Sequence, residues 1–285
     1  MFKIVSRGRI VIPVPSGLIY NNEISQENNL NATTRLWIQE NKTVYKQYVI
    51  YNELTKKNID NLLKIASNRA LCGLPELSLP LEIYSNGDRV EGYLMEYHDM
   101  NSFMHYLTGN NHSVVLMAFQ RLASLINKLP LDVYIGDLHA ENVLVNQNEI
   151  RIIDVDGFSL KHGHKISCPL ESCSNHSIFL HKKYRDRAGN FCISRDSDIA
   201  CVLWLLLDYL MGGNPFNYAE AELRRYMGFL KELGLPKDLY EMMMRMMSQK
   251  HNYLIPEAFT AIPIEILSHC SYKQFVSKGA NVKDY

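Results

Sequence analysis

The chain has 285 residues, of which 47% are hydrophobic and 21% are charged, so it is long enough to bury a large core. Its 30 basic side chains equal its 30 acidic ones, which leaves no overall field favouring an anionic partner. Nucleic acid and membrane surfaces are therefore not expected among its partners.

Three further features bear on the compartment. Residues 1–17 mix charges and prolines with apolar residues and lack the continuous apolar core of a signal peptide. The longest apolar run, residues 199–211, contains Asp208 and is too short to span a bilayer. The 6 cysteines are irregularly spaced, unlike a secreted disulfide framework. We expect a soluble cytoplasmic protein with reduced thiols.

The first hundred residues predict a small sheet with one helix. Alternating, β-branched segments at residues 9–14, 35–39 and 43–50 are typical of antiparallel strands. The amphipathic residues 55–71 predict a helix, and the apolar runs 81–84 and 90–95 flank an Asn-Gly pair, a strong hairpin signal.

The rest of the chain predicts mostly helices. Apolar residues recur at helical spacing between His112 and Leu129. Residues 194–216 combine an acidic helix start, an apolar body and a Gly-Gly stop. About three more amphipathic helices should follow, one of them rich in methionine, which indicates adaptable core packing rather than a binding site.

Between these regions lies YIGDLHAENVLVNQNEIRIIDVDGF, residues 134–158. It predicts a polar loop, a strand at 142–145, a tight turn and a second strand at 150–153 that ends in acids. Pairing of the strands is expected to bring Asp137, Asn142 and Asp154 to one end of the hairpin. Carboxylates bind Mg²⁺ together with substrate phosphates, and phosphoryl transfer needs a carboxylate to position the acceptor. A magnesium and phosphate site is therefore predicted here.

This stretch resembles the catalytic loop and metal-binding segment of the protein kinase superfamily. DLHAEN matches an Asp followed after four residues by an Asn, and IDVDGF matches a strand followed by an Asp-Phe-Gly turn. The resemblance implies that Asp137 orients the acceptor hydroxyl and takes up its proton, while Asn142 and Asp154 hold the metal. Asp156 is the competing metal acid. Asp154 is preferred because it directly follows an isoleucine pair, so that Asp156 replaces the family's glycine.

The resemblance also assigns roles to other residues. Lys46, in VYKQYVIY, would pair with the α and β phosphates of ATP. Met95 would guard the pocket behind the adenine, and the backbone of Glu96 and Tyr97 would bond the base. His139 stands where Ser/Thr protein kinases usually keep a lysine near the transferred phosphate.

The chain departs from the family pattern at three points. No Gly-rich loop precedes Lys46, so that Asn and Ser residues would have to approach the phosphates. The helix that should supply a glutamate to Lys46 contains none, and Glu53 and Asp60 are the substitutes on offer. Gly136 replaces the arginine of many phosphorylation-regulated kinases, so activation by that route is not expected.

The implied fold is a two-lobed, protein-kinase-like α+β fold. Residues 1–97 would form a nucleotide-binding sheet lobe with one helix, and residues 98–285 a mainly helical lobe with the catalytic loop and metal site. The implied activity is an ATP- and Mg²⁺-dependent phosphotransferase, most simply an atypical, bacterial-type Ser/Thr protein kinase with a protein substrate. Two alternatives stay open. GDLHAEN is also similar to aminoglycoside and choline phosphotransferases, and the departures favour a pseudokinase that acts as a binding or scaffold module.

A candidate zinc site lies in the segment between Asp156 and Asp198. Cys168, Cys173 and His176 are zinc-ligand types, but their spacing is looser than a standard zinc knuckle. We expect a loop of reduced cysteines without zinc. The same long segment leaves room for an extended polypeptide acceptor, which favours a protein substrate.

Overall fold

The computed structural model describes residues 3–5, 9–15, 17–18, 34–109, 111–162, 165–167, 193–248, 253–267 and 272–277. In this part the chain is mixed α+β, with a sheet in the N-terminal region and helices in the C-terminal region, which confirms that much of the predicted fold. The strands are β1 (Lys3–Val5), β2 (Arg9–Pro13), β3 (Thr34–Gln39), β4 (Thr43–Tyr48), β5 (Glu82–Asn86), β6 (Arg89–Glu96), β7 (Asn101–Ser102), β8 (Val133–Tyr134), β9 (Val143–Val145), β10 (Ile150–Ile152), β11 (Ser159–His162) and β12 (Lys165–Ser167). The helices are α1 (Glu53–Ser67), α2 (Phe103–Leu107), α3 (His112–Lys128), α4 (Arg195–Met211), α5 (Glu220–Glu232), α6 (Lys237–Met247), α7 (Pro256–Thr260), α8 (Ile264–Leu267) and α9 (Tyr272–Ser277).

The chain divides into two compact units. The first comprises Met1–Met100 and Arg151–Ser172, and the second Asn101–Ile150 and Cys173–Tyr285. The segment that carries Asp154 and Asp156 therefore belongs to the same unit as the N-terminal sheet.

The first unit is built on a six-stranded sheet in the order β1-β2-β5-β6-β4-β3. The predicted hairpin β5–β6 is confirmed, and Gly87 in its turn has the left-handed φ of 62° that this turn requires. The prediction of a purely antiparallel sheet is wrong at one place, because β2 and β5 pair in parallel. The long stretch of chain between these two strands provides the crossover that parallel pairing needs.

Successive side chains of β4 point to opposite faces of the sheet and belong to two different apolar clusters. Val44 and Tyr48 belong to a cluster that includes Ile59 and Leu62 of α1, whereas Tyr45 packs with Trp37, Tyr84 and Leu94 in a second cluster. Because strand side chains point to alternate faces, Lys46 shares the face of Val44 and Tyr48. The lysine thus lies on the sheet face that α1 covers.

Helix α1 begins earlier and ends earlier than residues 55–71, where the sequence predicted it. The side chain of Asn52 accepts a hydrogen bond from the backbone N–H of Thr55, which fixes the start. At the other end the N–H of Asn68 bonds the Ile65 carbonyl at 3.0 Å and the chain becomes extended. The cap residues, rather than the apolar period, decide both ends.

The second unit is organised around α3 and α4, and most of the apolar side chains of these two helices are buried. The rings of Phe119 in α3 and Phe259 in α7 stack at 5.8 Å, and Phe103 packs edge-on against Phe119 at 4.9 Å. The methionine-rich α6 buries Met242 and Met246 along with its neighbours, consistent with the predicted packing role.

Helix α4 confirms the predicted start and stop signals. Ser194 and Ser197 form a reciprocal capping box, and Gly212 ends the helix with φ 65°. The Arg195 guanidinium donates to the carbonyls of Leu129 and Pro130 at 2.9 and 2.8 Å, which ties the start of α4 to the chain leaving α3. No helix in the described ranges is long and apolar enough to cross a membrane.

Candidate functional site

Lys46 is the centre of the first unit's polar cluster. Its side chain lies among apolar residues of the sheet and is only 4% exposed. The ammonium donates to Oδ1 of Asp154 and, at 2.9 Å, to Oδ1 of Asp156. Two of the three N–H groups of the lysine are therefore directed at carboxylates that follow β10.

The charge of Lys46 is held by these two acids. Burial alone would lower the pKa of its ammonium, but the carboxylates of Asp154 and Asp156 outweigh burial and raise the pKa well above its usual value. The side chain is thus a permanent cation at any physiological pH.

Asp154 has a partly exposed side chain and a left-handed backbone conformation. Its φ and ψ of 62° and 37° are left-handed, a region that Asp visits more readily than most residues but that still costs roughly 1–3 kcal/mol when the fold enforces it. Its side chain remains 45% exposed beside the buried lysine. Backbone bonds of Ile152 to Glu76 and Ser78, at 2.7 and 2.9 Å, hold the strand that delivers it.

Asp156 has the opposite environment. It is 1% exposed and accepts hydrogen bonds from the hydroxyls of Tyr48 and Tyr93 at 2.8 and 3.0 Å, besides the bond from Lys46. Burial, followed by the charge of Asp156, raises the pKa of both tyrosines far above the usual value, so both hydroxyls stay protonated donors. Asp156 is consequently a fully buried counter-ion.

Helix α1 reaches this cluster through an amide rather than an acid. Nδ2 of the buried Asn61 donates to the carbonyl of Phe158 at 2.8 Å, which fixes the turn after Asp156. The two acids suggested as substitutes for a helix glutamate lie elsewhere: Glu53 pairs with Lys56 at 2.7 Å, and Asp60 is exposed.

The predicted adenine contacts lie at the end of β6. Met95 is buried in the apolar cluster below α1, and Glu96 and Tyr97 are exposed. The N–H of Tyr97 donates to the carbonyl of Lys42 at 3.0 Å. That N–H is therefore engaged within the sheet, and a base bonding this segment would use its other backbone groups.

In the second unit, the side chain of Asp198 holds the backbone of the loop that precedes β9. The two carboxylate oxygens of this buried residue accept the N–H groups of Ile135 and Gly136, each at 2.9 Å. Gly136 has φ 72°, which explains why glycine precedes Asp137. Burial raises the pKa of Asp198 to about 6, because it outweighs the two backbone hydrogen bonds that lower it.

The predicted catalytic loop residues gather on this anchored loop. Asn142 lies at a bend just before β9, not in the strand as predicted, and its Nδ2 donates to the Asp137 carbonyl at 3.1 Å. Nε2 of the buried His139 is 3.9 Å from Oδ2 of Asp137, beyond hydrogen-bond distance. The loop thus holds a carboxylate, an imidazole and an amide close together.

Sequence reasoning missed the parts played by Tyr48, Tyr93 and Asn61. One signal was present: Tyr48 stands two residues after Lys46 in a strand and so shares its face. Cys168, Cys173 and His176 lie outside the described residues. Within the described ranges, no group of three or more His, Cys, Asp and Glu residues is placed to hold a metal ion.

Comparisons with known proteins do not extend the resemblance. No protein-family model matches the chain, and no curated protein matches it.

Proposed function

We propose that the protein is an ATP- and Mg²⁺-dependent phosphotransferase with a two-lobed, protein-kinase-like fold, acting on Ser or Thr hydroxyls of a protein. One observation carries the proposal: a buried lysine on the N-terminal sheet pairs with Asp154, an exposed acid held in left-handed conformation. The motif IDVDGF singles out Asp154 and the resemblance assigns Lys46, and the two residues are 108 positions apart in the chain.

Lys46 supplies a fixed positive charge for phosphate oxygens. Two of its donors are used by Asp154 and Asp156, and the third is the one assigned to the nucleotide. Asp154 keeps oxygen surface exposed beside this charge. A carboxylate in that position would suit a hard cation that binds together with substrate phosphates.

The bound metal would neutralise phosphate charge as it develops in the transition state. Asp154 and the side-chain oxygen of Asn142 are the ligands assigned to it. The amide nitrogen of Asn142 is engaged with the Asp137 carbonyl, which leaves the oxygen as the coordinating atom. This small ligand set fits Mg²⁺, which usually binds through one or two carboxylates plus substrate phosphates.

Asp137 is the residue assigned to the acceptor hydroxyl. Its carboxylate would orient the hydroxyl and take up its proton as the bond to the γ-phosphorus of ATP forms and the bond from that phosphorus to the departing ADP oxygen breaks. The resemblance assigns His139, whose Nε2 is 3.9 Å from Oδ2 of Asp137, to a position near the transferred phosphate. The buried Asp198 keeps the loop backbone in position, so that these side chains need little reorganisation during the reaction.

The first prediction concerns the chemical step. Wild-type protein incubated with labelled ATP, Mg²⁺ and generic protein acceptors should label itself or an acceptor on Ser or Thr. Asp137→Asn should lower this rate by roughly 10²- to 10⁴-fold, the usual contribution of a general base. The exposed Asp132→Asn, five residues earlier in the same loop region, is the matched control and should retain the wild-type rate.

Three other outcomes would change the assignment. Turnover of an amino sugar, choline or a nucleoside without protein labelling would make the protein a small-molecule kinase. ATP binding without transfer to any acceptor or water, with Asp137→Asn indistinguishable from wild type, would make it a pseudokinase. Absence of nucleotide binding would reject the proposed function altogether.

A further inference from the structure

We infer that Asp156 is a positioning residue: together with Tyr48 and Tyr93 it holds the Lys46 ammonium in place, so that Asp154 alone is the metal-binding acid. This inference rests on the proposed function for its effect on nucleotide, but the cluster itself lies wholly within the first unit. It replaces the ion pair that a helix glutamate was expected to provide.

Hydrogen-bond accounting separates the two acids. An ionised carboxylate has about four acceptor positions. Asp156 fills three of them with protein donors, since Oδ1 accepts from Lys46 and Tyr93 and Oδ2 accepts from Tyr48. A cation at Asp156 would have to displace these donors from a side chain that is almost completely buried. Asp154 presents the exposed oxygen surface that a metal and its water ligands need.

The surroundings of Lys46 explain why its charged partner comes from the turn and not from α1. The apolar residues of α1 that pack against the sheet face of Lys46 include Ile59 and Leu62, and the buried polar residues of the helix, Thr55 and Asn61, are uncharged, so α1 offers no buried anion. A lysine ammonium among such residues requires a buried partner. Asp156, which stands where the resemblance expects a glycine, is that buried partner. The hydroxyls of Tyr48 and Tyr93 also stabilise its charge.

A hydrogen bond connects α1 with the turn that carries Asp156. Asn61 bonds the Phe158 carbonyl and so fixes the backbone two residues beyond Asp156. Through this bond the helix contributes to the position of Asp156 and, with it, of the Lys46 ammonium. Movement of α1 would therefore shift the turn and the lysine's partner together.

The first experiment does not depend on nucleotide. The extent of acetylation of Lys46 at one fixed pH is measured by peptide mass spectrometry, with the exposed Lys64 as internal reference. Asp156→Asn should raise the ratio of Lys46 to Lys64 acetylation, because the ammonium loses one of the two carboxylates that hold it. Asp60→Asn removes an exposed acid of the same unit and should leave the ratio unchanged. Equal rises in both variants, or none in Asp156→Asn, would overturn the inference.

The second experiment is a double-mutant cycle on Mg²⁺–ATP affinity. Asp156→Asn should weaken binding by about 10- to 100-fold in the wild-type background, the effect of losing one charged hydrogen bond that fixes a phosphate contact. In the Lys46→Met background the same change should alter affinity less than about two-fold, because Asp156 acts through the lysine. The double variant carries neither charge, so it leaves no unpaired buried ion.

The outcomes distinguish the inference from the proposed function. An equal loss of affinity in both backgrounds would mean that Asp156 contacts the metal or the nucleotide itself, and would overturn the inference. If wild type binds no Mg²⁺–ATP, the proposed function fails, while the acetylation ratio still decides whether Asp156 holds Lys46. Should Asp156→Asn fail to fold, Tyr48→Phe and Tyr93→Phe replace it in the cycle and should show the same dependence on Lys46.

Discussion

Gly92, in β6, is required by the close approach of its neighbour strand. A Cβ at this position would lie 2.2 Å from the Lys46 carbonyl oxygen and 2.8 Å from the Tyr45 ring. Since the nearest atom belongs to the backbone of β4, relief would require the two strands to separate. Gly92→Ala should therefore lower the free energy of unfolding by about 1–3 kcal/mol, as overpacking does. Denaturant unfolding of the two proteins measures this difference.

Gly228 in α5 provides the matched control for that substitution. No atom lies within 4 Å of a Cβ built there, and the site is helical. Gly228→Ala should be neutral or should stabilise by about 0.5–1 kcal/mol, because alanine restricts the unfolded chain and favours helix. If Gly92→Ala and Gly228→Ala had the same free energy of unfolding, β4 and β6 could separate beside Lys46 at no cost. The close approach of the two strands would then not explain the glycine at position 92.

The residues of the candidate site were only partly predictable from the sequence. Lys46 and Asp154 stood out because motifs place them, and they do meet. The difference between Asp154 and Asp156 was not predictable, since it depends on burial and on the hydroxyls of Tyr48 and Tyr93, which reach the turn from distant strands. Local pattern assigns a side chain to a strand face, but it does not show which distant groups arrive there.

At the scale of elements, sequence pattern was most successful where the determining interactions are local. The hairpin β5–β6 and the start and stop of α4 follow from turn and capping residues close in sequence. The parallel pairing of β2 with β5 was missed, because such a pair depends on a crossover connection and not on residues near the strands. The hydrogen bond between Asn61 and Phe158 was missed because the two residues are 97 positions apart in the chain.

The anchoring of the catalytic loop on α4 has a consequence for pH dependence. Burial raises the pKa of Asp198 from 3.8 to about 6 in the folded chain. Between these values the folded state binds more protons than the unfolded state, so the contribution of this carboxyl to stability falls as pH rises. Above pH 6 the contribution is constant. The proton-linked part of the free energy of unfolding should therefore decrease between about pH 4 and pH 6.

Comparison with Asp198→Asn isolates this effect, because an amide does not titrate in the range. The difference in unfolding free energy between wild type and Asp198→Asn, measured in denaturant at several pH values, should fall from pH 4 to pH 6 and then level off. A difference that grows with pH would show that the N–H groups of Ile135 and Gly136, with the charge of Arg195, outweigh burial. The carboxylate would then be the preferred form in the fold.

At the scale of the whole molecule, the two acids assigned to phosphoryl transfer belong to different compact units. Asp154 lies in the first unit with Lys46, and Asp137 lies in the second with His139 and Asn142. In the proposed function Lys46 and Asp154 hold nucleotide, and Asp137 acts in the chemical step alone. Binding and turnover should therefore respond differently to substitution of Asp154 and of Asp137.

The last prediction separates these roles by calorimetric titration and thermal unfolding with Mg²⁺ and ATP. A ligand at about 100 times its Kd stabilises the native state by about 2.7 kcal/mol, so ATP should raise the Tm of wild type in a Mg²⁺-dependent way. Asp154→Asn and Lys46→Met remove contacts made before the chemical step, and both should lose most of the affinity and of the Tm shift. Asp137→Asn should keep both while its turnover falls, because a proton acceptor acts mainly in the transition state. Loss of ATP affinity in Asp137→Asn equal to that in Asp154→Asn would contradict this division and make Asp137 part of the nucleotide site.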